Sequence, residues 1–252
     1  MNIKLLTILG LAAIGSVAGL IGGVIFLIKD SWARKISKYA VPFAAGVLLS
    51  VSLLNLIPEA EHLIGKKAFL VVLLSLLASF FFERFFASLH HHEHSKIAEK
   101  KASIPLIIFG DTIHNFIDGV AIAAAYLTNP TFGLIVAFAS FLHETPHEIG
   151  DFGILISAGW KKGKTFWVNF LSAMATFPGA LFVYYSAQGE NFENVVGTLL
   201  AVAAGVFLFL GASDFLPEVG EEERGVKVWK KSLFLILGVG IIYTLSLVFP
   251  DL

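Results

Sequence analysis

One stretch of the sequence concentrates acidic and histidine side chains among apolar residues. Between Ala102 and Trp160 the chain contains no Lys or Arg. The same stretch contains five carboxylates and three histidines, namely Asp111, Asp118, Glu144, Glu148, Asp151, His114, His143 and His147. Imidazole nitrogens and carboxylate oxygens are the side-chain ligands that suit zinc and related divalent ions. These residue types indicate a metal site; a hydrated polar seam that only packs helices together is the alternative.

The spacing of these residues predicts that they meet on two facing helices. His114 and Asp118 are four residues apart, so they share one helix face, with Asn115 beside them. Two adjacent stripes run along the next segment at four-residue intervals, with His143, His147 and Asp151 in one and Glu144 and Glu148 in the other. Only the short sequence TNP at 128–130 separates the two segments, which therefore become antiparallel neighbours.

We predict two adjacent metal positions between these helices. Four side chains form the first, an N/O site suited to zinc, and they are His114, Asp118, His143 and His147. Asn115 and Glu144 form a second, oxygen-rich position, with Glu148 as a further candidate. Pro146 frees the carbonyl of Leu142 at the same place, because proline has no N–H to donate.

The composition places this cluster inside a membrane. Of the 252 residues, 56% are hydrophobic and only 15% are charged, whereas soluble domains contain about 25% charged residues. Eight apolar segments are long enough to span a bilayer, at roughly 5–28, 38–58, 68–88, 104–128, 131–158, 165–187, 192–217 and 231–249. We predict an all-α integral membrane protein that forms a single transmembrane domain over 1–252.

The membrane setting makes the acidic cluster costly. It lies in predicted spans 4 and 5, and an ionised group at bilayer depth costs about 2.5–3.5 kcal/mol even on lenient insertion scales. Five carboxylates without a basic counter-ion are unfavourable unless protons, water or bound cations compensate them. Ser, Thr or Asn would join helices at a much lower cost, so the acids favour a cation site over the polar seam.

The positive charges predict the orientation of the chain. The 18 Lys and Arg nearly balance the 19 Asp and Glu, which excludes a basic nucleic-acid binder. Fifteen of the 18 fall in alternate loops, at 29–38, 83–103, 161–164 and 220–231. By the positive-inside rule these loops are cytoplasmic and both termini are extracytoplasmic, in a multi-pass protein of the plasma or inner membrane.

The absence of Cys excludes thiolate metal sites.

Two segments of the chain resemble each other. Residues 44–60 (AAGVLLSVSLLNLIPEA) and 203–219 (AAGVFLFLGASDFLPEV) are identical at seven of 17 positions, including the Pro-Glu pair. The first copy ends predicted span 2 and the second ends span 7, at opposite faces. This predicts an inverted repeat of spans 1–3 and 6–8 around central spans 4 and 5. Gly46 and Gly205 occupy equivalent positions, where we expect close helix packing.

Further ionisable residues are distributed across the predicted membrane. Those near the outer end are Glu59 and His62, and those toward the inner end are Asp111, Glu148, Asp151, Asp214 and Glu218. Their distribution suggests a pathway that leads to and from the central site. Four more histidines, His90, His91, His92 and His94, lie in the predicted cytoplasmic loop at about 89–103, where metal capture and a solvated linker are both open.

At these residues the sequence resembles the Zrt/Irt-like (ZIP) divalent metal transporters. HNFIDG (114–119) is similar to the family's His-Asn-x-x-Asp-Gly helix. HETPHEIGD (143–151) is similar to the His-Glu-x-Pro-His-Glu motif of one large subgroup. Eight spans, outward termini, a His-containing loop between spans 3 and 4 and the Pro-Glu ends of spans 2 and 7 also agree.

The resemblance implies uptake of zinc into the cytoplasm, with Fe²⁺, Mn²⁺ or Cd²⁺ as other transported ions. It implies no organic cofactor, no enzymatic activity and a homodimer in the bilayer. It assigns His114, Asp118, His143 and His147 to a primary transport site, and Asn115 and Glu144 to a secondary site. The chain departs from the family at span 6, which offers Asn169 and Ser172 instead of an acid, and at Asn55, where many members have His.

Two other functions fit the same residues. HETPH (143–147) matches the H-E-x-x-H pattern of zinc proteases, in which the histidines bind zinc and the glutamate activates water. An intramembrane zinc metalloprotease that uses His143, Glu144 and His147 is therefore the main alternative, although Pro146 disturbs the turn that aligns the two histidines. An exporter or a metal-sensing receptor is the other, because ligands do not determine the direction of transport.

Overall fold

The computed structural model describes residues 2–88, 104–220 and 226–249, and these are almost entirely helical. Eight long helices, here α1 to α8 in chain order, cover Ile3–Ile28, Asp30–Ile64, Lys67–Ser88, Ile104–Thr128, Pro130–Ser157, Lys162–Ser186, Phe192–Gly220 and Val228–Val248. The predicted His-containing loop at 89–103, with His90, His91, His92 and His94, lies outside the described residues.

The described helices agree with the eight predicted spans in number and order. Seven of them are long and apolar enough to cross a membrane. The eighth, α5, is 28 residues long but carries Glu144, Glu148 and Asp151 within its apolar sequence. The predicted all-α fold is therefore confirmed, and α5 carries half of the residues of the candidate site.

The predicted bounds of span 2 are wrong at both ends. Residues 30–38 were expected in a loop, but α2 begins at Asp30, and Asp30 pairs with Arg34 one turn later at 3.8 Å. At the other end, α2 continues past Pro58 to Ile64. Charged residues mark where a helix leaves the apolar region, but a helix in contact with water need not end there.

Four helices are interrupted, and the interruptions come in pairs. In α1, Ile3–Gly15 and Ile21–Ile28 are separated by the 3₁₀ turn Val17–Leu20, and in α6 a turn separates Lys162–Ala173 from Thr176–Ser186. In α2 and α7 the interruptions are π-helical turns, at Ser52–Leu56 and Leu210–Phe215. The pairs are α1 with α6 and α2 with α7, which are the pairs that the predicted repeat equates.

The structure supports the inverted repeat in detail. Each π-helical turn directly precedes the repeated Pro-Glu pair, and each proline takes the second position of the resumed helix, where its missing N–H has no cost. Gly197 near the start of α7 packs against Ile64 at the end of α2, whereas Gly211 packs against Leu48 in its middle. The two copies therefore run antiparallel, as the repeat requires.

Glycines at equivalent repeat positions allow two close helix contacts. A Cβ atom at Gly46 would lie 2.1 Å from the carbonyl oxygen of Leu235 in α8. A Cβ atom at Gly205 would lie 2.5 Å from that of Val72 in α3. The expected close packing is confirmed at both positions, because each backbone approaches within a distance that only glycine permits.

Two glycines in α8 give a matched test of this packing. A Cβ atom at Gly238 would lie 2.2 Å from the carbonyl oxygen of Phe43, whereas Gly240 has nothing within 4 Å. We expect Gly238→Ala to lower the free energy of unfolding by about 1–3 kcal/mol through overpacking. Gly240→Ala should leave it unchanged or raise it by up to about 1 kcal/mol, since alanine favours helix. Equal thermal stability of the two detergent-solubilised variants would contradict this packing.

Candidate metal centre

The connection between α4 and α5 sets the register of the site. Asn129 caps α5, because its Oδ1 accepts hydrogen bonds from the backbone N–H groups of Thr131 at 2.8 Å and Phe132 at 3.4 Å. Pro130 takes the first helical position, where no N–H is needed. The chain reverses in this short turn, so Asp118, His114 and Asp111, read backwards along α4, face residues 143–151, read forwards along α5.

Four buried side chains converge into one cluster, here the His114 group, which consists of His114, Asp118, His143 and Glu144. One ligand atom from each lies within 4.8 Å of the others. The Nε2 atom of His114 is 3.0 Å from Nε2 of His143 and 2.9 Å from Oε1 of Glu144. The Oδ2 atom of Asp118 is 3.5 Å from Nε2 of His143. Two nitrogens and two oxygens around one point fit a four-coordinate zinc ion.

The backbone orients the imidazole of His143 toward this cluster. Its Nδ1 atom lies 2.9 Å from the carbonyl oxygen of Ala139, one turn earlier in α5. A carbonyl can only accept, so Nδ1 carries the proton, and in the neutral ring Nε2 presents its lone pair to the cluster. Such a second hydrogen bond is the usual way in which a metal-binding histidine is held.

His147 belongs to an adjacent cluster, here the His147 group, which consists of Asp111, His147 and Asp151. Its Nδ1 atom is 3.7 Å from Oδ1 of Asp111, and its ring centroid is 5.4 Å from that of His114. In this structure Glu144, rather than His147, is the fourth member beside His114, Asp118 and His143. Because the helices are antiparallel, His147 lies one turn further along α5 and faces the residue one turn earlier in α4.

A third cluster, here the acidic group, consists of Asp111, Glu144 and Glu148. The sequence paired Glu144 with Asn115 at an oxygen-rich position. In the structure the Nδ2 atom of Asn115 donates to the carbonyl oxygen of Asp111 at 3.1 Å and to its Oδ1 at 2.9 Å. The amide therefore contacts this group through its donor end.

Three carboxylates of these groups lack hydrogen-bond donors. Both side-chain oxygens of Asp118, Glu144 and Glu148 are buried and have no hydrogen-bond partner with suitable geometry in the described part of the chain. The ion pairs described for the clustered acids all involve histidines. Buried charge that is neither paired nor hydrogen-bonded is strongly unfavourable. A cation bound among these oxygens would compensate their charge.

The site opens toward one end of the helix bundle. A cavity of about 480 Å³ is lined by His114, His147 and Asp151, and it extends to Glu83 in α3 and Asp214 in α7. His143 and Glu144 are fully buried, whereas the His147 side chain is 19% exposed. Access to the cluster is therefore from the His147 side.

The opposite end of the bundle is closed above the site. A separate cavity of about 300 Å³ there is lined by Asn55, Glu59, His62 and Phe132. Phe132 and His143 are about 16 Å apart along α5 at 1.5 Å per residue, and the intervening Val136 and Ala139 are buried. From α7, the ring of Phe207 covers His114 and His143 at centroid distances of 6.1 and 5.5 Å.

Two of the predicted pathway residues lie in α7. Asp214 lines the cavity of about 480 Å³. Glu218 lies one turn further along the helix, and its backbone carbonyl accepts a hydrogen bond from Lys231 Nζ at 2.6 Å. Glu83 was not among the predicted site residues, although an acid inside predicted span 3 is a signal of a functional site. Phe207 was not predicted either, because its position over the histidines has no signal in the sequence.

Comparison with known proteins identifies the family. A sequence model described as "ZIP Zinc transporter" matches residues 90–246, which is more than half of the chain. The chain belongs to the ZIP zinc transporter family. This is a family of multi-pass membrane transporters, not enzymes, and nothing in the comparisons supports the protease alternative. The geometry agrees, because His143 and His147 lie in different groups rather than around one zinc position.

Several curated relatives are similar to this chain. The "Zinc transporter foi" of Drosophila melanogaster is 36% identical over 148 residues, 58% of this chain and 20% of that protein. The "Zinc transporter ZIP10" of Danio rerio is 41% identical over 121 residues, which cover 47% of this chain and 14% of that protein. The "Zinc transporter ZIP10" of Homo sapiens is 38% identical over 179 residues, which cover 62% of this chain and 21% of that protein. The chain thus spans about a fifth or less of their length.

A single substitution tests the electrostatics of the acidic group. Glu148→Gln removes one buried negative charge that faces Asp111 and Glu144. In chelator-treated protein we expect the free energy of unfolding to rise by about 1 kcal/mol or more, while the stabilisation on adding Zn²⁺ becomes smaller. Thermal unfolding with and without Zn²⁺ measures both. Glu193→Gln, at an exposed position in the first turn of α7, is the control; a Glu148→Gln protein that is less stable without metal would contradict the repulsion.

Proposed function

We propose that the protein transports divalent metal ions, zinc above all, across a membrane through the centre between α4 and α5. The observation that carries the proposal is the set of buried carboxylate oxygens that have only histidines as ion-pair partners in the described part of the chain, beside two facing imidazoles. Family membership and the printed names of the relatives support zinc. Imidazole ligands also favour zinc over harder ions, although Fe²⁺, Mn²⁺ and Cd²⁺ accept the same ligands.

The three groups provide successive binding positions. The His114 group holds the ion at the centre, with His114, Asp118, His143 and Glu144 as ligands. Glu144 also belongs to the acidic group, and Asp111 belongs to both the acidic and the His147 groups. An ion can therefore pass from one position to the next by exchanging some of its ligands, without losing all of them at once. Asn115 and Glu148 are further members of this site.

The charge distribution supports an orientation for this pathway. The Lys/Arg-rich loops that we assign to the cytoplasm follow α3 and α7, so the cavity near Glu83 and Asp214 faces the cytoplasm. Glu59 and His62 then line the extracytoplasmic cavity, and both termini are extracytoplasmic in a cell membrane. In this orientation the structure is open inward, and uptake follows the pathway from Glu59 and His62 to Asp151, Asp214 and Glu218.

We also propose that the chain works as one transmembrane domain within a homodimer. All eight described helices contribute to one large apolar cluster, beside a smaller one that includes Phe26 and Phe152, which supports a single domain. Dimer formation is supported by the family resemblance, and α3 supplies a suitable surface, because only 11% of its apolar stretch is buried within the chain.

The two histidines of α5 should differ in their contributions. His143→Ala removes a ligand of the central position, so we expect Zn²⁺ affinity to fall by about 100-fold or more and flux into dye-loaded proteoliposomes to be lost. His147→Ala should reduce flux while lowering affinity less, since His147 lies in the neighbouring group. Ser50→Ala, at a buried position of α2 remote from the cluster, is the control. Unchanged flux in His143→Ala would refute the site, and equal losses of affinity would refute the division between groups.

Asp214 tests the route to the cytoplasm. Asp214→Asn removes a charge from the cavity without touching the His114 group, so turnover should fall several-fold while equilibrium Zn²⁺ binding changes by less than about twofold. Stopped-flow flux and equilibrium dialysis on the same preparation separate the two quantities. Glu193→Gln should change neither, and an equal loss of turnover and affinity in Asp214→Asn would place Asp214 in the binding site instead.

A further inference from the structure

Two buried hydroxyl groups contact the side-chain amide of Asn115 where α1, α4 and α6 meet. Ser16 lies at the interruption of α1, and Thr176 begins the second half of α6. All three side chains are fully buried. The Oγ atom of Ser16 donates a hydrogen bond to Oδ1 of Asn115, and Oγ1 of Thr176 lies 3.4 Å from the same oxygen. Ser16 therefore donates its one proton to the acceptor end of the amide, and Thr176 Oγ1 lies beside the same oxygen.

The other end of the amide faces Asp111. The Nδ2 atom of Asn115 has two protons, and it donates one to the carbonyl oxygen of Asp111 and one to its carboxylate. Both partners are acceptors only. If the amide were reversed, three oxygens would face one another without a proton between them. The surrounding donors and acceptors therefore determine the orientation of Asn115.

The interruption of α6 leaves a backbone carbonyl available to the two hydroxyls. Pro178 has no N–H, and the N–H of Phe177 donates to the carbonyl of Met174, three residues earlier, at 3.2 Å. The carbonyl of Ala173 instead accepts a hydrogen bond from Thr176 Oγ1 at 2.9 Å and lies 3.1 Å from Ser16 Oγ.

Glycine at position 119 permits the approach of α6 to α4. A Cβ atom at Gly119, one turn after Asn115, would lie 1.9 Å from the carbonyl oxygen of Thr176. The backbones of α4 and α6 are therefore in direct contact beside the amide. Ser16 and Thr176 are held in place by the fold on both sides of Asn115.

We propose that Ser16 and Thr176 are positioning residues that hold Asn115 as a donor to Asp111 and so withhold its oxygen from metal at the acidic group. This inference deepens the proposed function and rests on it. A second ion at the acidic group then meets only carboxylate oxygens, one of which already accepts from Asn115. The hydroxyls thereby set how tightly a second ion binds beside the central one.

Removing both hydroxyls tests the proposal by the number of ions bound. Purified protein in detergent is dialysed against Cd²⁺ or Zn²⁺, and the metal per chain is measured. Wild type should bind one ion tightly and a second weakly. In Ser16→Ala/Thr176→Val the second ion should bind about tenfold tighter, equivalent to about 1.4 kcal/mol, because Asn115 is free to turn its oxygen toward Asp111.

Two matched variants complete the comparison. Thr176→Ser keeps the hydroxyl and should bind metal as wild type does. Ser50→Ala removes a buried hydroxyl that bonds to the carbonyl of Gly46 within its own helix, remote from the site, and should also leave binding unchanged. Unchanged affinity for the second ion in the double variant overturns the proposal, as does weaker second-ion binding in Asn115→Ala, which would show that the amide oxygen is already a ligand.

A measurement on the wild-type protein gives an independent answer. In protein labelled with ¹⁵N at asparagine, the side-chain NH₂ signals of Asn115 are assigned from their loss in Asn115→Asp. We expect them to remain in slow exchange with solvent after the first ion binds; rapid exchange at that point overturns the proposal even if the double variant does not fold. Absence of flux with intact two-site binding would instead refute transport and leave the role of the hydroxyls standing.

Discussion

The structure depends on negative charge that is buried without a basic partner. Asp118, Glu144 and Glu148 lie in the interior of the helix bundle, and among the described residues their only ion-pair partners are histidines. In a medium of low dielectric constant such charge is unfavourable unless a cation is close by. Histidines, which can bind a metal in their neutral form, are the side chains that surround it. The helix bundle therefore encloses uncompensated negative charge, which a divalent ion would neutralise.

The same arrangement differs from that of a structural metal site. A structural site encloses its ion with a closed set of four ligands. Here Asp111 and Glu144 each belong to two overlapping groups, and exposure increases from His143 to His147. For the proposed transport, overlapping ligand sets would keep an ion coordinated while it moves, so the positions need not differ greatly in affinity. The wide cavity beside His147 gives this series a direction.

The framework around the site follows the inverted repeat. The antiparallel copies α2 and α7 each carry a π-helical turn before Pro-Glu, and each packs closely at a glycine, against α8 and α3 respectively. The interrupted helices α1 and α6 bring hydroxyl groups to α4 at their breaks. The breaks of α1 and α6 thus supply polar contacts to the centre from two distant segments of the chain.

Much of this protein could be predicted from local sequence. Uninterrupted apolar length predicted the helices in their order, since a membrane requires each span to satisfy its own backbone. The four-residue spacing of His114 and Asp118, and of His143 and His147, predicted which side chains share a helix face. The short connection predicted antiparallel neighbours. Each of these depends on residues that are close together in the chain.

Other features were decided only by the tertiary structure. Whether Glu144 or His147 completes the central cluster depends on the register and rotation of α4 against α5, and periodicity cannot give a relative rotation. The orientation of Asn115 depends on Ser16 and Thr176, which lie in distant segments of the chain. The sequence by itself determined that a cation belongs at the centre, because the charges have no other partner. Only packing decided which atoms meet around it, because that is set by contacts between helices far apart in sequence.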